Sequence, residues 1–320
     1  MNEGRQTICS KIYILLLKTL YSLNTYYIVV EMRSRTKNLA EKFQRCGLGV
    51  HDARMYLKNI EDYVKKYLKA FERWWEECNS LNIAKSYKYV VKYRPQPKTQ
   101  EGIQELIRAI EDTGKDEYVG DYNRTGAYIS HLVNKGYSRN KIKLKTGFPF
   151  NYLGVYTKKD WIIIGDVGNG VGKGMKGGTI GVIGNAGDGV GVSMGGGRIV
   201  IRGKVRDCAG GSMKDGEIIV EGGAGNGVGV GMEGGTIVIG GNAKNYAGGG
   251  MKGGTIIVKG TVEVWTGDEM RGGDMYIAYL DPYNLSDEIY GGNIYRGLPE
   301  KWGGKPELVV KDGEVLRNKF

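Results

Sequence analysis

Few residues in this chain have the type and spacing to do chemistry. There are two histidines, His51 and His131, and four cysteines, Cys9, Cys46, Cys78 and Cys208. No two cysteines stand at a metal-binding spacing. That argues against a cysteine-held zinc or iron–sulfur site within the chain and points to a reducing, cytoplasmic compartment. Each histidine reads as a helix-surface residue, with no nucleophile or acid–base set around it. The runs Gly168-Asn169-Gly170-Val171-Gly172 and Gly225-Asn226-Gly227-Val228-Gly229 have the glycine content of phosphate loops. No Lys-Ser/Thr follows either of them ahead of a helix, so they are not phosphate loops. Asn169, Asp188, Asp207, Asn226 and Asn245 recur nineteen residues apart and offer oxygen atoms to a cation. The same side chains suit hydrogen bonds to turn backbone, and that is the reading favoured here. The expectation is no catalytic, cofactor or metal residue in this chain.

Two basic stretches have the ingredients of nucleic-acid binding. Lys85-Ser86-Tyr87-Lys88-Tyr89-Val90-Val91-Lys92-Tyr93-Arg94 interleaves cations with tyrosines. Arg139-Asn140-Lys141-Ile142-Lys143-Leu144-Lys145 alternates cations with apolar residues. Alternation also predicts a strand with one solvated face, and no nucleic-acid motif accompanies the charge. The net charge of +11 is unevenly placed. Residues 1–164 carry 29 Lys and Arg against 17 Asp and Glu; residues 165–280 carry 11 against 11; residues 281–320 carry 6 against 7.

The elements behind these residues are set by a period of nineteen. Met175, Met194, Met213, Met232, Met251 and Met270 mark it, each followed by glycine, a polar residue and mostly apolar residues. A fixed period of this length denotes a repeat architecture. Ile180, Ile199, Ile218, Ile237, Ile256 and Met275 form one column, and Val182, Ile201, Val220, Ile239, Val258 and Ile277 another, two residues on. Apolar positions two apart lie on one face of a strand. Three further columns are glycine: Gly178, Gly197, Gly216, Gly235, Gly254, Gly273; Gly184, Gly203, Gly222, Gly241, Gly260; and Gly191, Gly210, Gly229, Gly248, Gly267. Glycine permits positive φ and close backbone approach, so these are read as structural corners. Short segments joined by such corners and stacked edge to edge make a parallel β-helix. The methionines and the small columns that include Ala186, Ala209, Ala224 and Ala247 should fill the tube. Weaker beats at Tyr137 and Tyr156 and at Ile289 extend it to about residues 137–296, or nine coils. Arg296 falls on an interior position, so the ladder should end there.

The Gly-Asn-Gly-Val-Gly runs, each leading to Met and Gly-Gly on this period, resemble the GXGXG domain. That family includes the C-terminal β-helix of the glutamate synthase large subunit and the β-helical subunit of formylmethanofuran dehydrogenase. The resemblance covers about half the chain. It implies a right-handed β-helix without catalytic residues that holds catalytic domains or subunits together. The implied partners are catalytic chains of an oxidoreductase or an amidotransferase, and the implied cofactors sit on those partners.

Residues 1–31 form a rather apolar segment, and the sequence also admits a start at Met32. Lys18 interrupts this run below the ~18 residues of a membrane span. Residues 32–136 read as a small, mostly α-helical basic domain. Met55, Ile60, Tyr63, Val64, Tyr67, Leu68, Phe71, Trp74, Trp75 and Cys78 give one apolar helix face. Helices over Gly102–Asp112 and Asn123–Lys135 follow. Residues 297–320 should form a cap with a hairpin turning at Asp312-Gly313.

One surface stands out. Between the two inward columns lies an outward one that is itself apolar, with Val200, Ile219, Val238 and Ile257 at its centre. Contiguous exposed apolar stripes mark contacts. The helix around Tyr63–Cys78 or a partner chain should cover it. Sugar-cleaving β-helices carry clustered carboxylates outside, whereas the outer columns here mix Thr, Arg, Glu and Asp. The leading expectation is a non-catalytic scaffold resembling the β-helical subunit of formylmethanofuran dehydrogenase. A detached glutamate-synthase-type domain is the alternative in that class, and a nucleic-acid-binding protein the alternative outside it.

Overall fold

The computed structural model describes residues 62, 65–76, 97–113 and 125–316. Helix α1 covers residues 65–76, α2 runs Gln100–Asp112 and α3 Thr125–His131, and a π-helical turn Leu132–Gly136 leads on from α3. Nine strands follow: β1 Lys141–Lys145, β2 Asp160–Ile164, β3 Thr179–Ile183, β4 Gly195–Ile201, β5 Asp215–Val220, β6 Thr236–Ile239, β7 Thr255–Thr261, β8 Arg271–Tyr279 and β9 Gly291–Arg296. Each pairs in parallel with the next, Ile142 to Trp161 to Ile180 and so on by nineteens as far as Ile294. The protein is therefore mainly β, a parallel solenoid of eight nineteen-residue turns between nine strands. At about 4.8 Å per turn it is about 38 Å long. Among the described residues no helix is long and apolar enough to cross a membrane. The apolar run 12–30 lies outside them.

The expected interior is the observed one. All six methionines, both Ile/Val columns and both small columns are buried. Packing explains two glycine columns. A β-carbon on Gly235, whose φ is +87°, would lie 2.7 Å from the Gly216 carbonyl oxygen and 2.7 Å from the Met213 methyl. The same clash recurs at Gly216 with Met194 and at Gly254 with Met232. Each methionine methyl thus fills the space that a glycine in the next coil leaves open. In the Gly191 column the neighbour is instead isoleucine. A β-carbon on Gly210 would stand 2.2 Å from Ile237 Cδ1, and one on Gly229 2.4 Å from Ile256 Cδ1. The Gly184 column needs glycine for backbone approach rather than for its φ: at Gly222 the Gly203 carbonyl oxygen is 2.7 Å from the β-carbon position.

The Asn/Asp column is a ladder. Backbone N–H groups of Asp188, Asp207 and Asn226 donate to the side-chain oxygens of Asn169, Asp188 and Asp207, at 2.8, 3.1 and 2.7 Å. Arg206 also binds both carboxylate oxygens of Asp188, at 3.1 and 3.0 Å.

Helices close the first edge. The N–H groups of Lys143, Lys145 and Gly147 alternate along the free side of β1 and beyond it. They donate to Gln100 Oε1 at 3.2 Å, Gln104 Oε1 at 2.8 Å and Glu111 Oε1 at 2.8 Å, all on α2. Gln104 Nε2 returns a bond to the Lys145 carbonyl at 2.7 Å. An i to i+4 step on a helix is about 6 Å and two strand residues about 6.6 Å, so the two glutamines match the strand. Ser130 on α3 accepts from Gly154 N–H at 2.8 Å, and Asn134 donates to the Val155 carbonyl at 3.0 Å. These side chains substitute for the coil that is missing before the first.

At the far end β10, Glu307–Lys311, pairs antiparallel with β9, and β11, Glu314–Val315, folds back on β10. Asp312 and Gly313 have φ of +49° and +87°, as a two-residue primed turn requires. Arg296, placed in line with Ile277, is neutralised by Glu307 at 2.6 Å.

The corners carry a direct test. Gly235→Val should be severely destabilising, by about 3 kcal/mol or more, from strained backbone and the methionine clash. Lys252→Ala, at an exposed position, should stay within about 0.5 kcal/mol. Chemical denaturation of both variants measures the gap, and equal midpoints would contradict the corner geometry.

Candidate interaction surface

The sequence places its candidate residues on the outer face of the strand sheet, and in the structure they alternate with residues of the tube core. Val200, Ile219, Val238 and Ile257 pair in register with one another down the sheet. Their flanking partners Ile199, Ile218, Ile237 and Ile256 are buried inside the tube. Exposure along this stripe is uneven. Val200 and Ile219 are half-buried, whereas Val238 is 6% exposed and Ile257 fully buried, although neither belongs to the tube core. The segment between β9 and β10 approaches this end. Trp302 lies with its ring centroid 4.7 Å from Lys259 Nζ, and Lys259 points to the same side as Ile257. Tyr276 and Tyr295 continue the stripe and stack at 4.5 Å, nearly parallel.

The margins are charged. Arg198 pairs with Glu217 at 2.9 Å, and Arg202 pairs with Glu221, each bond joining adjacent coils. All four side chains are largely solvated, so these pairs set the polarity of the margin more than its stability.

Helix α1 is an expectation the structure corrects. Its apolar face does not lie along the stripe. Phe71 and Trp74 pack on Tyr128 of α3, at 5.3 and 5.0 Å between centroids, and join the core at the β1 end of the rod. The aromatic face of α1 meets the apolar faces of α2 and α3 there, in one cluster with the buried Ile103, Ile107 and Ile129. The remainder of that apolar face, including Met55, Ile60 and Cys78, lies outside the described residues. His131 is a second correction. It is 3% exposed at the end of α3, buried where the helix seats on the first coil rather than on a helix surface.

The remaining candidates take bland roles. Lys141, Lys143 and Lys145 are exposed and alternate with buried Ile142 and Leu144, as a strand with one solvated face requires. The stretch Lys85–Arg94 and His51 lie outside the described residues. Cys208 is exposed on a corner. Partial burial, then the nearby Asp207 and Asp188 carboxylates, push its thiol pKa up, away from the thiolate a nucleophile needs. Among the described residues no group of three or more His, Cys, Asp or Glu could hold a metal.

Two left-handed columns have no counterpart in the sequence pattern. Gly170, Gly189 and Gly227 share one with Cys208, Tyr246 and Trp265; Gly174, Gly231 and Gly250 share the other with Ser193, Ser212 and Glu269. Mixed occupancy hides them, because the glycine signal breaks wherever another residue accepts the strained conformation.

No family model matches the chain, and no curated protein matches it.

The half-buried Glu111 carboxyl at the helical cap generates a pH prediction. Burial raises the pKa of Glu111, offset in part by the Gly147 and Phe148 backbone N–H groups. A raised carboxyl pKa favours the folded state below the ordinary carboxylate range and costs stability as pH rises through the folded value. Glu111→Gln keeps the acceptor and removes the charge. Its melting temperature should match or exceed that of the native chain at pH 7, and the difference should vanish or reverse below about pH 4. Thermal melts at the two pH values measure this.

Proposed function

We propose that this chain is a scaffold: a β-solenoid that organises catalytic partner chains of an oxidoreductase complex, in the manner that its likeness to the β-helical subunit of formylmethanofuran dehydrogenase implies. Its cofactors would sit on the partners. The observation that carries the reading is the outer stripe. Val200 and Ile219 remain half-exposed, apolar and in register on a rigid sheet, between margins of interlocked Arg and Glu. An apolar centre with a polar rim is the anatomy of a protein interface. Sealed rod ends support the same reading, since they leave the sides of the solenoid as the surface available for contacts. A detached glutamate-synthase-type domain would use the same surface with an amidotransferase.

Purification of the native protein, followed by identification of what co-elutes, tests the scaffold. Oxidoreductase or amidotransferase chains are the expected companions. Nucleic acid that is lost steeply with salt would instead support binding through the basic stretches. Val200→Lys with Ile219→Lys tests the stripe. This variant should keep its cooperative melt and lose at least one native partner. If it folds and retains them all, the stripe is not a docking surface.

A further inference from the structure

A second surface lies on the glycine-rich corner, away from the strand sheet. Tyr246 and Trp265 occupy the same column in adjacent coils, and their rings stack at 4.9 Å and 21°. Both have left-handed backbone, with φ of +60° and +58°. In other coils that column is Gly170, Gly189 or Gly227, at φ near +70°, or the small Cys208 at +58°. An aromatic residue in this conformation is strained where glycine is not. Burial does not compensate the strain, because Tyr246 is 39% exposed and Trp265 49%. Strained residues that persist without a packing role cluster at functional sites.

The neighbours extend the patch. Val264 precedes Trp265, and Tyr283 follows Val264 in the next coil, in the register fixed by the Thr266–Leu285 bridge. Val230 lies against Gly249 one coil before. With Tyr246 and Trp265 these make five of the ten exposed large apolar residues among those described, gathered within four coils. Aromatic residues of this kind dominate the energy of protein interfaces.

The charge around the patch indicates its partner. Residues 261–290 contain seven acidic residues and one basic residue, Arg271. Glu263, Glu269, Asp281, Asp287 and Glu288 are exposed, and Arg271 stands 3.9 Å from Glu269. Lys244, one coil before Glu263, is the nearest cation in that column. An acidic rim repels nucleic acid and anionic lipid surfaces. Aromatic faces and carboxylates together receive arginine and lysine, through cation–π contact and ion pairing.

We propose that this corner docks a partner protein through a basic segment, whose arginine or lysine side chains lie against the Tyr246–Trp265 stack and pair with the surrounding carboxylates. The assignment rests on the scaffold reading and places a second contact on a different side of the rod.

The full-length chain, its Trp265→Gly and Tyr246→Gly variants and a Glu263→Gln variant test this with a fluorescent (Gly-Arg)5 peptide and a (Gly-Glu)5 control at low salt. The native chain should bind the arginine peptide, with a change in tryptophan emission, and should not bind the control. Trp265→Gly should weaken binding about tenfold or more, and Glu263→Gln should weaken it less. Glycine is native to this column, so both glycine variants should melt within about 3 °C of the native chain. A larger fall would make the rings structural and overturn the proposal. So would equal peptide binding by the native chain and Trp265→Gly, or no binding by the native chain. A concentration-dependent dimer abolished by Trp265→Gly would name a second copy as occupant and also overturn it. If Trp265→Gly loses no native partner and the arginine peptide fails to bind, this surface falls and the scaffold stands. If the native chain co-purifies with no catalytic chain, the scaffold falls while the peptide result remains readable.

Discussion

Parallel backbone hydrogen bonds hold successive coils about 4.8 Å apart, and the rest of the structure follows from that spacing. It stacks every residue on the one nineteen positions earlier. A side chain that is wrong for its column is then wrong against two neighbours at once. Where the chain turns, the spacing leaves no room for a β-carbon, and glycine is the answer at Gly216, Gly235 and Gly254. The vacancy is put to use, because Met194, Met213 and Met232 extend their methyls into it. A flexible thioether suits such an irregular gap better than a branched side chain. Methionine and glycine columns are thus two halves of one packing solution.

The same hydrogen bonds create the problem of the ends. An open β1 would present unpaired backbone groups to any passing strand. The chain meets this with side chains at one end and backbone at the other. Gln100, Gln104 and Glu111 imitate a neighbouring coil from a helix, whereas β10 reverses direction and pairs with β9 directly.

Whatever repeats is legible in the sequence. The strand register, the inward columns, the outward direction of Val200 and Ile219, and the Asp312-Gly313 turn all follow from spacing and turn chemistry. What occurs once is not. Nothing in the spacing of Gln100 and Gln104 separates an edge-capping pair from two solvated amides on a helix. Burial of His131 depends on where α3 lands, which no local pattern states. The seat of α1 differs from the expected one because an apolar helix face shows that it will be covered and not by what. Tyr246 and Trp265 are hidden for the opposite reason: they interrupt a glycine column, and an interruption looks like noise until its backbone conformation is known.

The solenoid also has the properties of a ruler. Each coil takes its backbone pairing from the coils beside it, and the caps take theirs from the first and last strands. The separation between the helical cap and the terminal hairpin is therefore quantised, in steps of about 4.8 Å. Insertion or loss of one nineteen-residue unit would change the span by one graduation and leave the local packing intact, as in other solenoids built from nearest-neighbour contacts. Anything fastened near both ends is held at a distance that the number of coils determines.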